Sequence, residues 1–337
     1  MRLTIALLAA LPFAVLSTPI AAADAPSLPD LTSYAFAGTT PRAVGPMSVD
    51  AVADALKDYD VVLFGEWHDH PGNHLAEMVL FRTLQARVPK LALSLEMFER
   101  DVQPVLDDYM AGKIGEEALR EKGRAWSNYA ESYRPLVEYA KERKLPVIAA
   151  NAPANIVRCV GQEGPEYLTK VTGPKRGQAA AELHLDAGAY RDKFFRFLDE
   201  DGSHGTNEKS VDAQGNPTPA ALKSFAAQVT RDDTMAESIV DFVQKNPGFK
   251  VMHLTGDFHV EGHLGTAERI AMRAPNLKIA VITPIEADVT RIGNGSDFVL
   301  FSRPVPELYA NDAEKKAEED KIRAMMGRAR TTNACTS

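Results

Sequence analysis

The chain has 337 residues, 45% of them hydrophobic and 25% charged, with a formal net charge of -8 at pH 7. That length and balance suit one large α/β domain or two modest ones. The acidic balance excludes a general nucleic-acid binder, which would carry a basic face, although a local site can still oppose the net field.

The N-terminus reads as a targeting segment. Met1-Arg2 is a short basic start, followed by the apolar run Leu3 to Ile20 and the small residues Ala21-Ala22-Ala23. This is the pattern of a secretory signal peptide over 1–23, with cleavage expected after Ala23. Pro12 and Pro19 interrupt the run, which argues against a membrane anchor. No cysteine follows it, so the mature protein is expected to be periplasmic or secreted, without a lipid anchor. In such an oxidising compartment Cys159 and Cys335 are permitted a disulfide. The sequence equally allows Cys159 as a small buried hydrophobe and Cys335 as a tail residue.

Residues 24–47, rich in Pro, Ser, Thr and Ala, are expected to form an extended arm. The main domain is expected over 48–305. Ser48 reads as the N-cap of a short helix from Val49 to Lys57, and Asp60 to Phe64 as a buried strand. That strand runs into Gly65-Glu66-Trp67-His68-Asp69-His70-Pro71-Gly72-Asn73-His74, which packs three histidines, a glutamate and an aspartate into ten residues. Leu75, Met78, Val79, Phe81 and Leu84 then recur at helical spacing. Leu91 to Leu95 is a second strand, followed by Glu96, and helical patterns follow over 102–110, 115–122 and 133–143. Pro146 to Ala150 is a third strand, ending in Asn151-Ala152-Pro153.

Gly and Pro punctuate residues 161–222, which read as an insertion or lid containing one helix, Tyr190 to Leu198, with exposed aromatics. Ala220 to Gln244 is a long amphipathic helix with Leu222, Phe225, Val229, Met235, Ile239 and Phe242 as its inward positions. Lys250 to Leu254 is a fourth strand, followed by Gly256-Asp257-Phe258-His259. After a helix over 266–273, Lys278 to Ile282 is a fifth strand and Phe298 to Phe301 an edge strand. A charged helix and tail occupy 306–337. Short strands alternating with longer helices imply an α/β fold, a mainly parallel sheet flanked by helices.

The unusual polar residues fall just past the carboxyl ends of apolar strands: Glu66 and His68, Glu96, Asn151, then Asp257 and His259. In a parallel sheet these ends share one edge, where ligands bind. The pattern GxxH occurs twice, at Gly65–His68 and Gly256–His259, and glycine after a strand is expected to allow a sharp turn. Imidazoles with carboxylates suit a divalent transition metal, and equally an acid–base pair acting on bound water. Glu66, His68, Glu96 and His259 are the set for either role. Glu99, Trp67 and Trp126 read as capping or packing residues and His253 as a core histidine. His184 and His204 carry no positional signal. Asn151 is balanced between turn capping and a ligand role.

These segments resemble a known family. GEWHDHPGNH at 65–74, SLEMFER at 94–100, LPVIAANAP at 145–153 and GDFH at 256–259 look like the ChaN-like haem-binding lipoproteins of the Tiki, TraB and erythromycin-esterase superfamily. The likeness spans roughly residues 50–290. It implies a mainly parallel α/β fold with helical additions, export, and a link to haem or iron uptake through an outer-membrane partner. It also implies haem held at a homodimer interface by a tyrosine with an assisting histidine, for which Tyr129, Tyr133, His70 and His74 are the candidates. In hydrolytic relatives the corresponding metal or acid–base positions fall on Glu66, His68, Glu96 and His259. The lipoprotein cysteine is missing here, so membrane anchoring does not follow. Two functions are therefore expected in competition: an exported haem-binding protein, or a metal-dependent hydrolase.

Overall fold

Largely apolar runs, buried at most of their described positions, form the parallel strands of one sheet covered on both faces. The structure, a computed structural model, describes residues 34–40, 43–201, 209–286, 295–318, 320, 321 and 335. The expected signal peptide and His204 lie outside the described residues. In chain order the elements are β1 (Tyr34–Thr40), β2 (Ala43–Met47), α1 (Val49–Leu56), β3 (Val61–Glu66), α2 (Pro71–Gln85), β4 (Leu91–Glu99), α3 (Gln103–Met110), α4 (Glu116–Lys122), α5 (Tyr129–Ser132), α6 (Arg134–Arg143), β5 (Val147–Asn151), α7 (Ala154–Glu163), α8 (Tyr167–Lys170), α9 (Ala189–Asp201), α10 (Pro219–Lys245), β6 (Lys250–Gly256), α11 (Thr266–Arg273), β7 (Ile279–Glu286) and β8 (Phe298–Ser302).

The sheet runs β2-β1-β8-β7-β3-β6-β4-β5. From β8 to β5 all neighbours are parallel, while β1 pairs antiparallel with β8 and β2. The chain moves outward from β3 to β4 and β5, returns to insert β6 between β3 and β4, and finishes beyond β3 with β7 and β8. Alternate side chains serve opposite faces. Val62, Phe64, Leu93, Leu95, Met252 and Leu254 join the core containing α2 and α6. Val61, Leu63, Ala92, Val251 and Val281 meet Met235 and Ile239 of α10 and Ile270 of α11.

Several expectations change, among them Leu222 of α10, read as an inward position but 41% exposed. The described part of the arm is a pair of strands, since β8 would otherwise present an open edge of unpaired backbone groups. The inward face of α2 is rotated from the one read off its apolar residues: Asn73, His74, Ala76, Glu77, Leu80, Phe81 and Leu84 are buried, whereas Leu75 is 51% exposed. Of the aromatics of α9, Phe197 is exposed as expected but the other three are not. Tyr190, Phe194 and Phe195 are buried against Phe225 of α10, because a short helix without that contact would expose a large apolar stripe. Cys159 and Cys335 are joined in a disulfide that ties residue 335 to α7.

Candidate functional site

The carboxyl ends of β3, β6 and β4 lie side by side, with Glu66 in register with Gly256 and Leu95 with Leu254. The crevice beyond them is where sheets of this topology present ligand-binding groups. Two histidines enter it, each tied at Nδ1 to a carboxylate. His68 Nδ1 donates to Glu66 Oε1 at 2.7 Å. His259 Nδ1 donates to Asp232 Oδ1 on α10, also at 2.7 Å. Such pairing fixes the tautomer and aims Nε2 outward.

Between the histidines stand Gly256 and Glu96. A Cβ at Gly256 would sit 2.9 Å from His68 Nε2 and 3.8 Å from His259 Cδ2. Its backbone, φ -54 and ψ 140, is open to any residue, so this glycine allows close approach. It does not supply the sharp turn expected from the GxxH spacing. Glu96 Oε1 lies 3.5 Å from His259 Nε2, while Oε2 accepts from Thr255 Oγ1 at 2.6 Å and Gly256 N at 2.9 Å.

Burial by itself would raise the Glu96 carboxyl. The cationic His259 and His68 and the bonds from Thr255 and Gly256 outweigh it and hold the group at about 2. Burial pulls the His259 imidazole down, but Asp232 and Glu96 prevail and keep it above its ordinary value. The same balance, with Glu66 as partner, raises His68. The crevice thus presents a carboxylate beside imidazoles that favour their protonated form.

Beneath it, Glu66 joins a second group. Its Oε1 also accepts from Tyr133 at 2.6 Å, and its Oε2 lies 3.2 Å from His74 Nδ1. That nitrogen is 3.1 Å from Glu77 Oε2, and His74 Nε2 donates to the His68 carbonyl at 2.8 Å. Burial pushes the Glu66 carboxyl up, yet hydrogen bonds from His68, His74 and Glu77 hold it well below the carboxylate range. Burial disfavours charge on His74, but the two glutamates push it up to about 10. Glu77 is raised well above the usual range, first by burial and then by Glu66.

The expected site residues are therefore brought to one end of the sheet but not into one ligand set. Among the described residues, the group whose metal-ligating atoms lie within 4.8 Å of one another is Glu66, His74 and Glu77. The His68 ring touches that group at Glu66 Oε1, and Glu96 stands instead beside His259. The four expected haem residues are enclosed. Tyr129 is 1% exposed and Tyr133 0%; Tyr133 donates to Glu66, and burial raises both phenols far above their usual range. His70 caps α2 through Asn73 N and binds the Arg303 carbonyl with Nε2. His74 has both nitrogens engaged. Packing between α2, α5 and α6 encloses these groups against a ligand as large as haem.

The remaining readings resolve as structural. Glu99 caps the start of α7 through Ala154 N and pairs with Arg124. Asn151 accepts from Ala152 N within its turn. His253 is fully buried against Ser94. Trp67 donates to Asp257 at 3.0 Å. His184 binds Asp233 through both its ring and its backbone N–H, clipping the preceding segment to α10.

Sequence reasoning missed Asp232, Tyr190, Thr266 and Glu77. Asp232 is fully buried and accepts from His259, from Tyr190 at 2.6 Å and from Thr266 at 2.9 Å. It lies three positions after Val229 on the inward stripe of α10, as Glu77 lies three after His74 on α2. An acidic residue interrupting an apolar stripe was the signal for Asp232, whereas Glu77 lies off the apolar stripe read for α2 and carried no such signal.

The Trp126 ring meets His68 edge-on at 4.9 Å. From Asp69 onward opens a groove of about 680 Å³, lined by Asp69, His74, Leu75, Met78, Asn128 and Pro135 among others. His68 is the crevice imidazole that solvent reaches, with 39% of its side chain exposed.

Residues 52–270 match the family model described as haem-binding uptake, Tiki superfamily, ChaN. The fold is similar to that of a solved structure described as cofacial heme binding to ChaN of Campylobacter jejuni. The TM-score is 0.61 at 17% identity, over 81% of this chain and 98% of that one. A curated relative, RETICULATA-RELATED 5 of the Arabidopsis thaliana chloroplast, is 26% identical over 306 residues, covering 86% of this chain and 40% of that protein. The chain therefore spans about two fifths of that relative's length.

Proposed function

We propose a haem-binding function for this chain, which belongs to the ChaN family of haem-binding uptake proteins in the Tiki superfamily. The observation that carries the reading is the family match over 52–270, a span that includes both GxxH segments and Glu96. The buried tyrosines do not fit an iron ligand. His68 does: its Nδ1 is committed to Glu66, and no described residue hydrogen-bonds its Nε2. An imidazole held this way by a carboxylate is a strong axial donor. The adjoining groove, with Leu75, Met78 and Pro135 on its wall, falls within the usual size of a cofactor cleft. Haem bound there would supply an iron centre for storage or delivery.

Export to the periplasm or medium, a homodimer, and an outer-membrane partner in haem uptake belong to the same proposal. The apolar N-terminal pattern and the Cys159–Cys335 disulfide support the export part. Titration of the mature protein with hemin should give a saturable, shifted Soret band, and His68→Ala should weaken it at least tenfold. Weak, non-saturable binding by the wild type would sink the proposal. Saturable binding unchanged by His68→Ala would move the ligand elsewhere.

A second reading has its own observation. The His68–Glu66 and His259–Asp232 pairs flank Glu96 with the geometry of an acid–base centre acting on water. Hydrolysis of aryl esters, abolished by His259→Gln with the fold intact, would support it. Turnover that survives the substitution would not come from this crevice.

A further inference from the structure

We infer that Glu66, His74 and Glu77 form a binding site for one divalent transition cation beneath the crevice. The three side chains come from the end of β3 and the first turns of α2, and their relative exposures are 1%, 7% and 0%. His74 Nδ1 lies 3.2 Å from Glu66 Oε2 and 3.1 Å from Glu77 Oε2. Donors about 2.0–2.2 Å from one tetrahedral ion are separated by little more than this. His74 Nε2 donates to the His68 carbonyl at 2.8 Å, which is how the outer nitrogen of a metal-bound imidazole is usually held.

An independent observation asks for a ligand. Glu77 Oε1 is buried without a hydrogen-bond partner, and the equally buried Glu66 Oε2 has only its ion-pair contact to His74 Nδ1 at 3.2 Å. Orphaned carboxylate oxygens in a dry interior are costly, and a cation satisfies them. One imidazole with two carboxylates and no thiolate suits zinc, manganese or ferrous iron. His74 borders the groove described above, which gives an ion a path from solvent. The site does not depend on haem binding, although its His74 borders the groove proposed for haem, and it shares Glu66 with the crevice. Since Glu66 Oε1 holds His68 and Tyr133, an ion on Oε2 would fix the carboxylate that orients His68.

The test is metal analysis of the untagged full chain, purified without chelators and dialysed against zinc or manganese. About one equivalent is expected in the wild type and equally in His68→Ala and His259→Ala. Glu77→Gln, which keeps the shape and removes the charge, should lose at least tenfold in affinity and lose the metal-induced rise in thermal transition. Glu77→Asp, which shortens the reach, serves for the same loss where the first variant does not fold. A wild type that retains neither ion would overturn the inference, since protons alone would then hold the cluster. Retention by Glu77→Gln with loss in His259→Ala would overturn it too, by placing the ion in the crevice.

Discussion

His253 offers a sharp test of how burial sets charge in this fold. It lies in β6 with no exposed surface; its Nδ1 is 2.9 Å from Ser94 Oγ and its Nε2 has no hydrogen-bond partner. Burial pushes the imidazole down to about 4 from its ordinary 6.5. The folded form thus binds the proton less well than the unfolded chain, so stability is lost as pH falls from about 6.5 through about 4. The gap corresponds to about 3 kcal/mol. His253→Leu removes the titration and the orphaned nitrogen, at a pH-independent cost of about 1 kcal/mol from the unpaired Ser94 hydroxyl. Urea denaturation at pH 7, 5.5 and 4, followed by circular dichroism, should show the variant gaining about 3 kcal/mol on the wild type over that range. A difference between the two proteins that stays constant with pH would refute the reasoning.

The two GxxH glycines should respond differently to alanine. A Cβ at Gly65 would meet the Asp257 Cα at 2.9 Å and Val260 Cγ2 at 3.0 Å, so backbone must move; the expected cost is about 1–3 kcal/mol. At Gly256 the nearest atom is the end of the His68 side chain. That ring can turn away, losing its bond to Glu66 at about 1 kcal/mol while disabling hemin binding. Thermal melts beside hemin titrations separate the cases, and equal loss of stability in both variants would count against the distinction. The Cys159–Cys335 disulfide closes a separation of 176 residues, so reduction should lower stability by up to about 5 kcal/mol on chain-entropy grounds. A melting temperature unchanged by reductant, with both thiols shown free, would contradict that tie.

The family is reached through local segments because the chemistry of the crevice lies next to glycines and strand ends. A stretch such as Gly65 to His74 carries its identity in a few adjacent residues. The enclosure of the candidate tyrosines and the groove lined by His74 and Pro135 depend instead on α2, α5 and α6 meeting. For that reason the tyrosines suggested by family likeness lie in the interior, and a histidine from the motif itself takes their place in the proposal.

The sequence by itself determined a mainly parallel α/β sheet flanked by helices and where most of its strands fall along the chain, but not their order in space. Buried parallel strands must be apolar at every position, and the helices between them must cap and stop, as Ser48 and Thr218 do at α1 and α10. It also placed Glu66, His68, Glu96 and His259 at one end of the sheet, because the end of each apolar run is a local signal. Only the tertiary structure decided which carboxylate holds which imidazole. Asp232 reaches His259 from 27 residues away, and the insertion's Tyr190 joins it at a distance of 42. The rotation of α2 that buries His74 and Glu77 in place of Leu75 had the same origin. Helical periodicity fixes a stripe only when its residues are apolar, and here the buried stripe is partly charged because each charge has a partner from another element.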